Sequence, residues 1–149
     1  MSDHLKIRVA KDAGFCFGVR DAIEKAREVA QEHGKVYMLG DIVHNERVVK
    51  DLAQENVKVV DSLAEVKNAP VLFRAHGTIP ELWVEAGRKD LTIVDATCPL
   101  VHEIHDEIKK LDVEGRKLII IGDHGHDEVV AIRAQVTEAI IIASIAEAE

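Results

Sequence analysis

Two stretches of the chain correspond at a constant offset of 82 residues, without a gap. The first runs from Cys16 through Gly40-Asp41 to His44 and Glu46, and the second from Cys98 through Gly122-Asp123 to His126 and Glu128. The match continues into the tails Ser62-Leu63-Ala64-Glu65 and Ser144-Ile145-Ala146-Glu147. A fixed period restricts the fold more than any single motif, because each repeat is one structural unit that packs against its neighbour. It also orders the chemistry. The chain's two cysteines fall at equivalent positions, each 28 residues before a histidine. Two units that each present a thiol point to one shared site.

Apolar periodicity alternates between strand and helix along the repeat. Residues 5–10 alternate as a strand does. Residues 18–33 then read as an amphipathic helix, with Val19, Ile23, Ala26 and Ala30 spaced three and four apart and Gly34 as the stop. Short apolar runs predict strands at 36–39, 57–60, 71–73, 91–94, 118–121 and 139–142. Asn45 is placed to cap a helix to about residue 54 with Val48, Val49 and Leu52 inward, and Ser62 with Glu65 forms a capping-box pattern. Pro80 and Pro99 open helices, the second running to about residue 114, and a further helix begins at Glu128 with Asp127 placed to cap it. Strands that alternate with helices and lack hairpin signals imply an α/β fold of parallel-sheet βαβ units. The units divide as residues 13–95 and residues 96–149, with the strand in residues 4–10 of ambiguous assignment. The counterpart of 71–77 would lie at 153–159, so the second unit is expected to be incomplete. Further polypeptide, or a second copy in a homodimer, would complete it.

Composition bounds the function. An apolar share of 47% supports a core, and aromatics at 3% leave its packing to aliphatic side chains. A net charge of −8 argues against nucleic acid as a partner. The longest apolar runs, near Ile119 and Ile140, are strand length and far short of the ~20 residues of a membrane helix. The beginning of the chain lacks the apolar centre of a signal peptide. These features set the expectation of a cytoplasmic protein without a membrane partner, whose cysteines are free thiols.

Each candidate site residue follows a predicted strand and precedes a helix, the side of an open α/β sheet where ligands bind. Cys16 and Cys98 stand immediately before helices, and a helix N-terminus favours the metal-binding thiolate. A lone cysteine there is equally a small buried hydrophobe; the matched positions favour the shared site. His44, His76 and His126 all sit in post-strand loops, where imidazoles can donate to phosphate oxygens. Glu128 starts a helix, which suits either a dipole-stabilising carboxylate or a proton donor. Its counterpart Glu46 is read as dipole-stabilising. Lys11, Arg20 and Arg74 lie near the same loops and are read first as solvated surface cations, with help in holding an anion as the alternative. His4, His33, His102, His105 and His124 follow no pattern and are read as surface or helix residues. A zinc or thiol-redox module built on the cysteines ranks lowest, since no CxxC is present.

Five segments occur in order: Gly14-Phe15-Cys16-Phe17-Gly18-Val19, Val43-His44-Asn45, Ala75-His76-Gly77, the run from Asp95 through Cys98 to Val101, and Gly125-His126-Asp127-Glu128-Val129. Together they resemble the LytB/IspH family, the 4-hydroxy-3-methylbut-2-enyl diphosphate reductases of the non-mevalonate isoprenoid pathway. The resemblance covers the whole chain and about the N-terminal half of a family member. It implies a pseudo-threefold arrangement of three α/β units around a 4Fe-4S cluster. By that resemblance Cys16 and Cys98 are cluster ligands, and His44, His76 and His126 bind the diphosphate substrate. His126 and Glu128 then serve catalysis, Glu128 in proton delivery. A low-potential electron donor such as ferredoxin or flavodoxin is the implied partner. The reaction is a reductive dehydroxylation that gives isopentenyl and dimethylallyl diphosphate.

The chain departs from the family pattern in four respects. The third cysteine is missing, as are the later serine, asparagine and threonine positions. Asp127 replaces the usual proline, and residues 130–134 lack the glycine-rich pattern. Two thiolates fall short of the three or four ligands a cluster normally takes, so this chain alone is not expected to be competent. The alternative is a homo-oligomeric cluster-binding module without reductase activity.

Overall fold

In the computed structural model, which describes residues 6–149, the helix Phe17–His33 (α1) leads into the apolar run Val36–Leu39 (β1) at the inside of a sheet. The helix Glu46–Gln54 (α2) connects β1 to Val57–Val60 (β2), its parallel neighbour. On the other side β1 pairs in parallel with Val71–Phe73 (β3), and β3 with Ile93–Asp95 (β4), so the order is β2-β1-β3-β4. The helix Pro80–Arg88 (α3) links the last two strands. β1 and β3 are almost wholly apolar because both faces of a parallel sheet are covered.

Strand alternation divides that apolar content between two cores. Val36, Met38 and Leu72 face α1 and α2, where Ala22, Ile23, Ala26, Ala30 and Leu52 pack on them. Tyr37, Val71 and Phe73 face the other way, onto Leu63, Ala86 and Trp83. The Phe73 and Trp83 rings meet edge to face with centroids 4.8 Å apart. The expected boundaries are present. Gly34 ends α1 in the left-handed conformation (φ 73°), and the Asn45 side chain accepts from the Val48 N–H at 3.1 Å. Ser62 and Glu65 close a reciprocal capping box around a 3-10 turn, Leu63–Glu65.

The same order of elements then recurs. The helix Pro99–Val113 (α4), strand Ile119–Ile121 (β5), helix Asp127–Arg133 (α5) and strand Ile140–Ile142 (β6) follow one another as α1, β1, α2 and β2 do, and a short helix Ile145–Ala148 (α6) ends the series. β5 and β6 pair in parallel in a sheet of their own. Only one face of this sheet is covered, by a small core around Ile108, Leu118 and Val136. On the other face Ile119, Ile121 and Ile140 are 59%, 86% and 62% exposed.

Two expectations are corrected. Residues 6–10 form no strand and are exposed. Their alternation has no neighbouring edge to complete a hydrogen-bond ladder, and an extended segment is a strand only when paired. His4 and residue 5 lie outside the described residues. The helix expected from Glu128 begins at Asp127 instead, with His126 as its cap. Among the described residues no helix is long and apolar enough to cross a membrane.

Candidate active site

Loops leaving the carboxyl ends of β1, β3 and β5 bring three histidines together. After β1, the loop is pinned by Ile42 and Val43, which are 0% and 4% exposed. His44 sits between that anchor and the Asn45 cap, so its ring projects outward. After β3, Ala75 is buried and its carbonyl accepts from the Cys98 N–H at 3.0 Å, which leaves His76 at the loop's crest. After β5, the His126 N–H donates to the Asp123 carbonyl at 3.1 Å, while its Nδ1 accepts from the Glu128 N–H at 3.3 Å.

The rings of His44 and His76 stack with centroids 4.7 Å apart. That of His126, from the second sheet, stands edge-on to both at 5.7 and 6.1 Å. Burial holds the His76 imidazole below its ordinary pKa, helped by the neighbouring His44 and Arg74. Its Nδ1 is buried with no hydrogen-bond partner. The cluster therefore contains an imidazole that burial biases toward its neutral form, with one ring nitrogen unpartnered.

Arg74 is not the solvated surface cation expected from sequence. Its guanidinium is about a quarter exposed and holds the Asp127 carboxylate with two hydrogen bonds of 2.8 Å each. That contact also explains the shifted helix start. Asp127 gives its carboxylate to Arg74, so the His126 ring caps α5 in its place. Gly40, at φ 70°, makes room for the bridge, because a Cβ there would lie 2.7 Å from an Arg74 nitrogen. A cavity of about 320 Å³ adjoins the pair and is lined by Gly40, Asp61, Thr78 and Val130 among others.

The thiols occupy an adjoining region. Cys16 and Cys98 are the N-terminal caps of α1 and α4, and neither side chain makes a capping hydrogen bond, so both thiols are free. Cys98 lies against the first turn of α1, the helix that Cys16 caps. A Cβ on Gly18 would stand 2.5 Å from the Cys98 Sγ. Asp95 builds the loop that carries Cys98: it accepts from the Thr97 N–H at 2.9 Å and contacts His102 Nε2 at 2.9 Å. Its carbonyl accepts from Lys25 Nζ of α1 at 2.6 Å. Sequence reading passed over Asp95 and Lys25 as site residues. An aspartate two residues before a threonine at a strand end is an Asx-turn signal that could have flagged the first.

Glu128 is half-buried on the first turn of α5, and Glu46 is exposed on α2 with Lys50 at 3.7 Å. Lys11 and Arg20 are exposed, as expected. Of the remaining histidines, His33 contacts Glu32, His102 contacts Asp95 and His124 contacts Glu147. His105 is on a helix as read, yet only 5% exposed.

Residues 7–149 match the family model described as LytB protein. A 4-hydroxy-3-methylbut-2-enyl diphosphate reductase of Geobacter metallireducens is 41% identical over 128 residues, which is 86% of this chain and 45% of that protein. One from Bacteroides thetaiotaomicron is 40% identical, over 97% of this chain and 53% of the relative. The solved structure of the Plasmodium falciparum E-1-hydroxy-2-methyl-but-2-enyl-4-diphosphate reductase superposes with a TM-score of 0.88 at 31% identity, covering 92% of this chain and 44% of that one. A second solved structure, titled as (E)-4-hydroxy-3-methyl-but-2-enyl diphosphate reductase, the terminal enzyme of the non-mevalonate pathway, gives 0.81 at 34% identity over 95% and 52%. The chain thus spans about half the length of the curated relatives it matches. With the family model covering nearly every residue, and the sheet and loops superposing on two reductases, the chain belongs to the LytB family.

Proposed function

We propose that this chain supplies the substrate-diphosphate pocket and two cluster ligands of a 4-hydroxy-3-methylbut-2-enyl diphosphate reductase. The observation that carries this reading is the convergence of His44, His76 and His126, from three loops and two sheets, beside two free thiols at helix N-termini. Imidazole N–H groups donate to phosphate oxygens, and converging donors suit a polyanion. Cys16 and Cys98 are thiolate donors of the kind an iron–sulfur cluster takes, although two are fewer than its usual three or four protein ligands. A further ligand has to come from other polypeptide, and the family reaction needs it.

In that reaction the substrate's C–O bond to its hydroxyl breaks. Two electrons and two protons enter, and water and one of the two isoprenoid diphosphates leave at each turnover. Cys16 and Cys98, with ligands from further polypeptide, would hold a 4Fe-4S cluster, whose chemistry would be electron supply from a low-potential donor such as ferredoxin or flavodoxin. The chain's own work is to hold the diphosphate on the three histidines and to deliver a proton. Glu128, half-buried at the start of α5 beside His126, is the group for that delivery.

A second reading has one observation in its favour. The uncovered isoleucine face of β5 and β6 is a surface that a second copy would cover, and a dimer would carry four thiols. Anaerobic reconstitution with iron and sulfide separates the readings. A visible chromophore lost in both Cys16→Ser and Cys98→Ser is the expected result, and colourless protein that takes up zinc instead would refute both. Solution mass then reports the dimer. Turnover with a low-potential donor, once the missing half of a relative is added, supports the reductase; a full cluster without turnover sinks it.

A further inference from the structure

Arg74 is tied to two of the three histidine-bearing loops. It follows Phe73, the last residue of β3, and its carbonyl accepts from the Gly77 N–H at 3.2 Å, which closes the turn that carries His76. Its guanidinium reaches the first residue of α5, where Nη1 and Nη2 each donate to one Asp127 carboxylate oxygen at 2.8 Å. Two parallel bonds of this kind fix the planes of both groups, which a single contact does not. The side chains are 27% and 31% exposed, so water competes for the pair only in part. Gly40 serves the same contact: a Cβ there would stand 2.7 Å from the Nη1 that bonds Asp127.

That ion pair decides which side chain caps α5. Aspartate is among the best helix caps, and an unengaged Asp127 would compete for the free N–H groups of the first turn. With its carboxylate on Arg74, the cap falls to His126, whose Nδ1 accepts from the Glu128 N–H at 3.3 Å. A ring nitrogen that accepts carries no proton. In the neutral imidazole the proton is then on Nε2, which becomes a donor. Nδ1 is spent on α5, so Nε2 is the one polar atom of this ring left for a ligand. An imidazole released from the cap can carry its proton on either nitrogen.

We propose that Arg74 is a positioning residue of the diphosphate site: by engaging Asp127 it assigns the α5 cap to His126, which keeps the His126 proton on Nε2 as a donor to a phosphate oxygen. The inference rests on the diphosphate reading above and adds the residue that orients one of its three donors. Arg74 acts through His126 and is not itself a phosphate ligand, since its charge is paired with Asp127.

Nitrogen-15 resonances of the His126 ring test this at about pH 8.5, above the ordinary imidazole range, because a ring nitrogen with a proton resonates far from one without. The wild-type chain is expected to show Nδ1 bare and Nε2 protonated. In Arg74→Ala the two shifts should converge, as the freed Asp127 takes over the cap. Adding Asp127→Ala to that variant should restore the wild-type pattern, because no carboxylate is left to compete. Arg74→Gln is read the same way if circular dichroism shows the alanine variant unfolded. Inorganic pyrophosphate, titrated calorimetrically, should bind Arg74→Ala about tenfold or more weakly than wild type and recover in the double variant. A wild-type proton on Nδ1, unmoved shifts in a folded Arg74 variant, or no restoration in the double variant overturns the inference. So does pyrophosphate affinity lost equally in the single and double variants, which would make Arg74 a direct ligand. The diphosphate reading fails separately, if wild-type protein with the expected shifts has no affinity for pyrophosphate.

Discussion

Gly18 shows how one side chain's absence sets the position of a reactive group. Alanine at a helical glycine ordinarily stabilises by roughly 0.5–1 kcal/mol. At Gly18 the added Cβ would stand 2.5 Å from the Cys98 Sγ, so the thiol or the helix has to move. We expect Gly18→Ala to destabilise the chain by about 1–3 kcal/mol in urea and to change the rate at which Cys98 reacts with a thiol reagent. A more stable variant with unchanged labelling would show that the close approach is not real. The buried histidines make a second residue-level prediction. Burial is the main reason that both His76 and His105 lie below the ordinary histidine pKa of 6.5. The unfolded chain therefore binds more protons than the folded chain once pH drops below that value, and stability is lost as pH falls. Unfolding free energies measured between about pH 7.5 and about pH 5 should decline, and His76→Gln with His105→Gln should flatten the decline; an equally steep profile in the double variant contradicts it. The histidine trio was legible in the sequence because post-strand loops of a parallel sheet share one edge. The Arg74–Asp127 pair was not, because its partners lie 53 residues apart, one in the loop after β3 and one at the start of α5, and nothing local to either residue announces the other.

Among the elements, helix ends with a local physical signal were read correctly, as were the strands at 36–39, 57–60 and 71–73, and the one strand expected without a neighbouring edge did not form. Gly34, Asn45, Ser62 with Glu65, Pro80 and Pro99 each fix a helix end through their own backbone or side-chain chemistry, and the helices start and stop there. Residues 6–10 alternate as well as many strands do, yet alternation describes only a face and cannot supply the neighbouring edge. The start of α5 moved by one residue because a long-range ion pair drew away the side chain that would have capped it. The α2 cap tests the local side of this account. Asn45→Ala removes the acceptor for the Val48 N–H and should cost about 1 kcal/mol, with His44 displaced because the two residues share the loop. Measured by urea denaturation together with the His44 imidazole resonances, no loss of stability and an unmoved ring would mean that buried Ile42 and Val43 hold the loop without the cap.

Over the whole molecule the repeat is regular in sequence and uneven in packing. The first sheet has four strands with apolar cores on both faces, and Val36, Met38, Val71, Leu72 and Phe73 are fully buried in it. The second has two strands and one core, with Ile121 86% exposed on the open face. Burying a residue of that size stabilises by about 1.5–3 kcal/mol, so each isoleucine left in water withholds that contribution from the second sheet. Local opening follows the density of buried apolar contact. The two halves should accordingly open with different free energies although their sequences correspond at a fixed offset. In hydrogen exchange read by mass spectrometry, peptides covering Val36–Leu39 and Val71–Phe73 should be the slowest, and those covering Ile119–Ile121 and Ile140–Ile142 should exchange orders of magnitude sooner. Adding the remaining half of a relative, or raising the chain concentration until a second copy associates, should slow the second set alone, and which addition does so identifies what covers the open face. Equal protection of both sheets in the isolated chain would mean that the exposed isoleucines are not the weak point. The site would then rest on two equally firm halves, and His126 would be held as rigidly as His44 and His76.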